Sequence, residues 1–200
     1  AQQIVTRDLC GRPVEFQDES GAVTHVERDL AGRIVALVSP TGLRTSYSYD
    51  ACGRMVDVTD PAGRVTRYSY TSDFQVATVT YPTGETARYE YDAMGRVVLS
   101  HVPGAGVSQY RYDPCGRLVF SCDLVYGQRH FSYDLAGQLV AATNPAGGVS
   151  RYGYDRCGRL VTRTDPGGGL TTYQYNECGQ MIAATDPLGR VTEYTWDKSG

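Results

Sequence analysis

The sequence is poor in the residues that build a large packed core: its 200 residues include one Trp and four Phe. No stretch carries apolar residues at helical spacing for more than two turns, which argues against a helical bundle. No run approaches the ~18 continuous apolar residues of a membrane helix, so no membrane span is expected. The opening AQQIVTRDLCGR has neither the basic nor the apolar region of a signal peptide. Neither sign of charge dominates: the net charge is −3, and the basic residues are spread along the chain. Nothing electrostatic therefore points to a nucleic-acid or membrane partner. What is abundant is glycine (23) and tyrosine (16), the marks of a β-rich chain with many turns.

Self-similarity settles the organisation. An Asp with Gly three residues later recurs at Asp8, Asp29, Asp50, Asp92, Asp113, Asp134, Asp155 and Asp197, all on a 21-residue period. Asn176 keeps the phase, and Thr71 fills the remaining slot. The unit reads D-x-x-G-R-φ-φ-x-x-T-D-P-x-G-x-V-T-x-Y-x-Y, and residues 155–175 are a nearly ideal copy. Both D-x-x-G and D-P-x-G are turns for a physical reason. The Asp side chain bonds its own backbone two residues on, Pro61, Pro145, Pro166 and Pro187 preset φ, and Gly accepts φ > 0. A type I turn followed by a left-handed Gly is a common hairpin connection. The segments between turns, 159–164 and 169–175 in that copy, have ordinary strand lengths.

The expected fold is therefore all-β, a long antiparallel meander of tandem hairpins. Nine repeats span residues 8–196, with partial units at both ends and no separate domain within 1–200. The first unit is atypical, with Val26 and Arg28 in the tyrosine slots. Neither end carries a recognisable cap for its terminal strand, so the array is expected to belong to a longer chain.

Tyrosines two apart point the same way. The pairs Tyr47/Tyr49, Tyr68/Tyr70, Tyr89/Tyr91, Tyr110/Tyr112, Phe131/Tyr133, Tyr152/Tyr154, Tyr173/Tyr175 and Tyr194/Trp196 form two columns that hold fourteen of the sixteen tyrosines. The other strand carries an adjacent apolar pair, such as Ile34/Val35, Met55/Val56, Leu160/Val161 and Met181/Ile182. Strict alternation sends adjacent residues to opposite faces. The expectation is a single curved sheet, moderately apolar on both sides, with tyrosine hydroxyls lining one of them.

The strings YDACGRMVDVTDPAGRVTRYSY (49–70) and YDRCGRLVTRTDPGGGLTTYQY (154–175) resemble the YD repeat of Rhs proteins, shared with insecticidal Tc toxin complexes and animal teneurins. The resemblance covers essentially the whole chain. It implies repeats wound into a β-sheet spiral that closes as a hollow cocoon, which in bacterial members encloses a C-terminal toxin. The uninterrupted spacing looks more like the bacterial members than teneurins. Those bacterial members end their repeats with a D-P-x-G-L core that cleaves itself through aspartates. Here Asp186-Pro187-Leu188-Gly189 runs into Arg190 and an ordinary tyrosine strand, so it reads as a repeat turn and no cleavage residue is carried over.

Other chemistry is weighed residue by residue. Cys10, Cys52, Cys115, Cys157 and Cys178 share one turn phase, alongside Ala31, Ala136, Met94, Asp73 and Ser199. Equivalent positions in neighbouring repeats lie ~10 Å apart, beyond the ~7 Å that a disulfide tolerates. Free thiols are expected, in keeping with synthesis in a reducing cytoplasm. No C-x-x-C pair or neighbouring His completes a metal site. The Asp column supplies too few oxygens per turn for calcium. His25, His101 and His130 have no obvious Asp partner in sequence. His101 and Cys122, one period apart, are too distant for a nucleophile pair. Residues 99–130, where PGAG and DLVYGQ replace the second turn, read as loop drift.

No catalytic, cofactor-binding or metal residue is assigned, no cofactor is expected, and the chain is not read as an enzyme. The expected role is a structural shell segment around a C-terminal toxin. Its partners would be the remaining repeats of its own parent chain, that toxin, and secretion-system components, with no nucleic acid. The protein would be made in the cytoplasm and exported within a larger chain. The competing reading is an extracellular adhesion or receptor-binding surface built on the tyrosine ladder, as in teneurin-like members.

Overall fold

A computed structural model describes residues 3–197, with side chains from Thr6 onward. The last turn, completed by Ser199 and Gly200, lies outside the described residues. The chain divides into two units, residues 1–104 and 105–200. The first holds β1 (Gln3–Arg7), β2 (Pro13–Gln17), β3 (Val23–Arg28), β4 (Ile34–Val38), β5 (Arg44–Tyr49), β6 (Met55–Thr59), β7 (Val65–Tyr70), β8 (Val76–Thr80), β9 (Thr86–Tyr91) and β10 (Val97–Val102). The second holds β11 (Gly106–Tyr112), β12 (Leu118–Asp123), β13 (Gly127–Tyr133), β14 (Leu139–Thr143), β15 (Val149–Tyr154), β16 (Leu160–Thr164), β17 (Leu170–Tyr175), β18 (Met181–Thr185) and β19 (Val191–Glu193). Within each unit every strand pairs antiparallel with the next in sequence. No helix occurs among the described residues.

The turns form as their residues dictate. In 50–54 the Asp50 N–H donates to the Arg54 carbonyl at 2.9 Å, and the Gly53 N–H donates back to the Asp50 carbonyl at 3.0 Å. The Asp50 carboxylate accepts the N–H groups of Cys52 and Arg54, each at 2.9 Å. Gly53 then takes φ +83°, the left-handed value that closes the hairpin. The same bonding explains why β16 and β17 are each one residue shorter than 159–164 and 169–175. The carbonyls of Arg159 and Gly169 are used in the turns, by Asp155 and Asp165 respectively. In the degenerate copy Phe74 replaces the glycine at φ 65°. Thr71 stands in for Asp, its hydroxyl accepting the Gln75 N–H at 3.2 Å.

One expectation is corrected. Strict alternation does not run through the apolar pair, because a β-bulge interrupts it in every D-x-x-G hairpin whose pairing is described beyond the first. Tyr49 pairs with Met55, but Ser48 pairs with Asp57, so Val56 is an extra residue. Val35, Ala77, Val140, Val161 and Ile182 are skipped in the same way. A bulge sets two residues against one and resets which way later side chains point. Ile34 and Leu37, three apart, accordingly line one hollow of about 180 Å³ with Tyr47, Tyr49 and Met55. The tyrosine face therefore gathers the apolar side chains, and the opposite face is more polar than expected. There Ser48 faces Asp57 and Ser69 faces Thr78, the latter hydroxyls 2.6 Å apart.

Single layers leave little interior. Among the described residues only Val26, Ala36, Ala87 and Phe120 are buried apolar residues, and most strand positions are half-buried. Each hairpin must then draw its stability from contacts with its immediate neighbours.

Candidate functional surface

Those contacts are concentrated at the D-x-x-G edge. The second tyrosine of each pair reaches back to the strand that began its own repeat. The phenols of Tyr49, Tyr70 and Tyr91 donate to the carbonyls of Ile34, Met55 and Val76 at 2.6, 2.5 and 2.8 Å. In the second unit Tyr133, Tyr154 and Tyr175 donate to Leu118, Leu139 and Leu160 at 2.9, 3.0 and 2.8 Å. Trp196 does the same with its indole N–H, at 2.8 Å from the Met181 carbonyl. The geometry requires this. β4 and β5 pair only from Ala36↔Ser46 to Val38↔Arg44, and the tyrosine spans the gap beyond. Burial pushes the Tyr70, Tyr91 and Tyr154 phenols above their ordinary value of 10.0.

Arginine completes the edge. Arg33, Arg54, Arg117 and Arg159 lay their guanidinium groups over Tyr49, Tyr70, Tyr133 and Tyr175, at 4.8, 4.9, 4.8 and 5.0 Å from the ring centres. Each also donates from Nε to the aspartate of its own turn, at 2.6 to 2.7 Å. Arg117 and Arg159 reach one turn further, to the carbonyls of Asp134 and Asn176 at 3.0 and 3.2 Å. One side chain thus ties its own turn, the ring that closes its repeat, and the next turn.

The carboxyls of Asp8, Asp50, Asp113 and Asp155 are held below the ordinary 3.8, first by the backbone N–H of the arginine and then by its side chain. For Asp29 and Asp92 the arginine side chain is the larger cause. A depressed folded value favours the charged form, so this stabilisation is complete above 3.8 and is lost as pH falls through the folded values. The raised phenols act in the opposite sense: their contribution is complete below 10.0 and is lost as pH rises beyond it. The expected result is a urea midpoint flat between about pH 5 and 9 that falls on both sides. A decline beginning between pH 7 and 5 would contradict this assignment.

The first tyrosine of each pair behaves differently. Among the described residues Tyr47, Tyr68, Tyr89, Tyr152 and Tyr173 have no protein partner for their hydroxyls. Within each unit they form a half-buried row of free phenols above the apolar side chains. The opposite face carries ion pairs instead: Arg44 with Glu27, and Arg67 with Asp57 at 3.6 Å. It also holds one aromatic island in the second unit, where Phe120 packs on His130 at 5.1 Å under Arg111 at 4.8 Å.

Sequence reasoning missed the arginine's role and one histidine. His25 does have a carboxylate partner, Glu15, directly across the strands with Nδ1 to Oε1 at 3.0 Å. The Thr6 hydroxyl donates to the other oxygen of Glu15 at 2.6 Å. The hydroxyl faces the carboxylate and is not activated by the imidazole, so the trio is a clasp between strands. His101 lies opposite Arg88, and Cys122 lies opposite Gln109 and Gln128. Residues 186–190 form the ordinary repeat turn, with Leu188 N–H on the Asp186 carboxylate at 2.9 Å.

Comparison with known proteins agrees with this geometry. The family described as RHS Repeat matches residues 28–65, 53–86, 75–107, 133–170 and 158–191. No curated protein matches the sequence. Among solved structures, TcdB2-TccC3-Cdc42 superposes with a TM-score of 0.72 at 19% identity, covering 96% of this chain and 12% of that one. TcdB2-TccC3 without its hypervariable C-terminal region gives the same values. The Photorhabdus luminescens Tc holotoxin pore follows at 0.64 and 14%, covering 98% of this chain and 14% of that one. The chain thus spans about an eighth of the length of the chains it resembles.

Proposed function

The chain belongs to the RHS repeat family, and from that premise we propose that it is one stretch of a structural wall enclosing a C-terminal toxin polypeptide before delivery. One observation carries this reading: the same Asp, Arg and Tyr contacts recur from repeat to repeat, and Arg117 and Arg159 pass the tie on to the following turn. Such a lattice extends a sheet without limit and has no need of a separate core. The likeness to chains several times longer supports a place within a larger toxin protein. In this reading the chain has no catalysis of its own. It is made in the cytoplasm and exported as part of its parent, and it contacts neighbouring repeats and the enclosed polypeptide. An adhesive tyrosine surface is less well supported, because one whole column of phenols is spent on backbone carbonyls.

Limited proteolysis of the full-length parent tests the proposal. The segment C-terminal to the repeats should resist protease while the wall is intact and become cleavable once Tyr70→Ala and Tyr154→Ala open it. A C-terminal segment cleaved at the same rate in both proteins would rule enclosure out.

A further inference from the structure

The two units differ in how arginine is treated on the sheet face away from the tyrosines. In the first, Arg44 and Arg67 are paired with Glu27 and Asp57. In the second, Arg111 and Arg151 reach that face by alternation with Tyr110, Tyr112 and Tyr152. Among the described residues neither has a carboxylate partner. Strands β11 to β18 contain a single acidic residue, Asp123. It follows Cys122 onto the tyrosine side, where its carboxylate accepts the N–H groups of Val125 and Tyr126 at 2.9 and 2.6 Å. Arg111 is also held in place. Its guanidinium lies 4.8 Å over the ring of Phe120, which packs on His130 at 5.1 Å. Phe120 is only 8% exposed, whereas Arg111 is open to solvent. Stacking fixes the plane of the guanidinium and leaves its N–H fork free. The pairings from β11 to β15 place Arg111 and Arg151 four strands, about 19 Å, apart.

We propose that this face of the second unit binds an extended, acidic polypeptide segment, with one carboxylate on Arg111 and another on Arg151. Charge complementarity selects the sign: unpaired cations on strands without a facing carboxylate attract an anionic partner. Spacing selects the class. A lone phosphate or carboxylate reaches one arginine, whereas about six residues of extended chain span about 20 Å and reach both. The fork of Arg111 suits the two oxygens of a carboxylate. Single-stranded nucleic acid would need exposed rings for its bases, and Phe120 lies buried beneath Arg111. Such binding is independent of what the wall encloses.

The test is fluorescence anisotropy of the labelled peptide Glu-Thr-Thr-Thr-Thr-Thr-Glu titrated with the full chain. Binding that weakens as salt rises is expected, and the same peptide with glutamine for glutamate should bind about tenfold more weakly. Arg111→Ala and Arg151→Ala should each lower the affinity about fivefold. Arg151 has no ring or carboxylate partner, so a loss there does not come from a weakened sheet. Arg163→Ala removes a cation that lies opposite Tyr152 on the other face, and should change nothing. No binding of the glutamate peptide, equal binding of the glutamine peptide, an equal loss at Arg163, or tighter binding of an oligothymidylate would overturn the proposal.

Discussion

Tyr154→Ala is expected to destabilise the second unit by about 2–3 kcal/mol, measured by urea unfolding. Complete burial of an aromatic side chain makes its truncation cost about 3–5 kcal/mol, and Tyr154 is half-buried. Two losses combine. The ring no longer bridges the gap between β14 and β15, and the Leu139 carbonyl, bonded by the phenol at 3.0 Å, loses its donor. Tyr154→Phe isolates the second loss and should cost about 1 kcal/mol. Tyr152, two residues earlier, sets the comparison. Its hydroxyl has no protein partner, so Tyr152→Phe should be nearly neutral. Equal costs for Phe at the two positions would mean that the columns do not differ in role.

The second large effect concerns the backbone. Gly53→Val should cost about 2 kcal/mol, because a residue with a Cβ in the left-handed region pays about 1–2 kcal/mol and β-branching adds to it. Space does not decide the matter: a Cβ on Gly53 would meet only the Arg33 Nη1 atom, at 3.7 Å. The Phe74 turn shows that the penalty can be borne once, with the ring 5.1 Å from the Arg54 guanidinium. A Gly53→Val protein with an unchanged urea midpoint would show that this turn is not held in the conformation described.

What the sequence made legible follows from where its information is local. Turn chemistry acts over four residues, so Asp, Pro and Gly on a fixed period placed the regular hairpins; the 123–127 segment, read as drift, lacks that signal and still closes β12 onto β13. Strand limits erred by one residue because the carbonyls of Arg159 and Gly169 belong to the turns. The bulge was not legible: an adjacent apolar pair is compatible with either alternation or an extra residue, and only the cross-strand partner distinguishes them. Its constant recurrence was the available clue. Arg54 stood in plain view after Gly53, yet its meaning depends on Tyr70, sixteen residues on. His25 and Glu15 are likewise brought together by hairpin register, which no neighbour in sequence reports. The two tyrosine columns have the same composition, and only the strand gap separates the anchoring ring from the free one.

The central claim is that a D-x-x-G arginine is energetically joined to the tyrosine that closes its repeat, as at Arg33, Arg54, Arg117 and Arg159. A double-mutant cycle on Arg54→Ala and Tyr70→Leu measures that join directly. Arg54 stacks on Tyr70 at 4.9 Å with its side chain 28% exposed, and a coupling of about 1 kcal/mol is predicted. Strictly additive effects of the two substitutions would contradict the account.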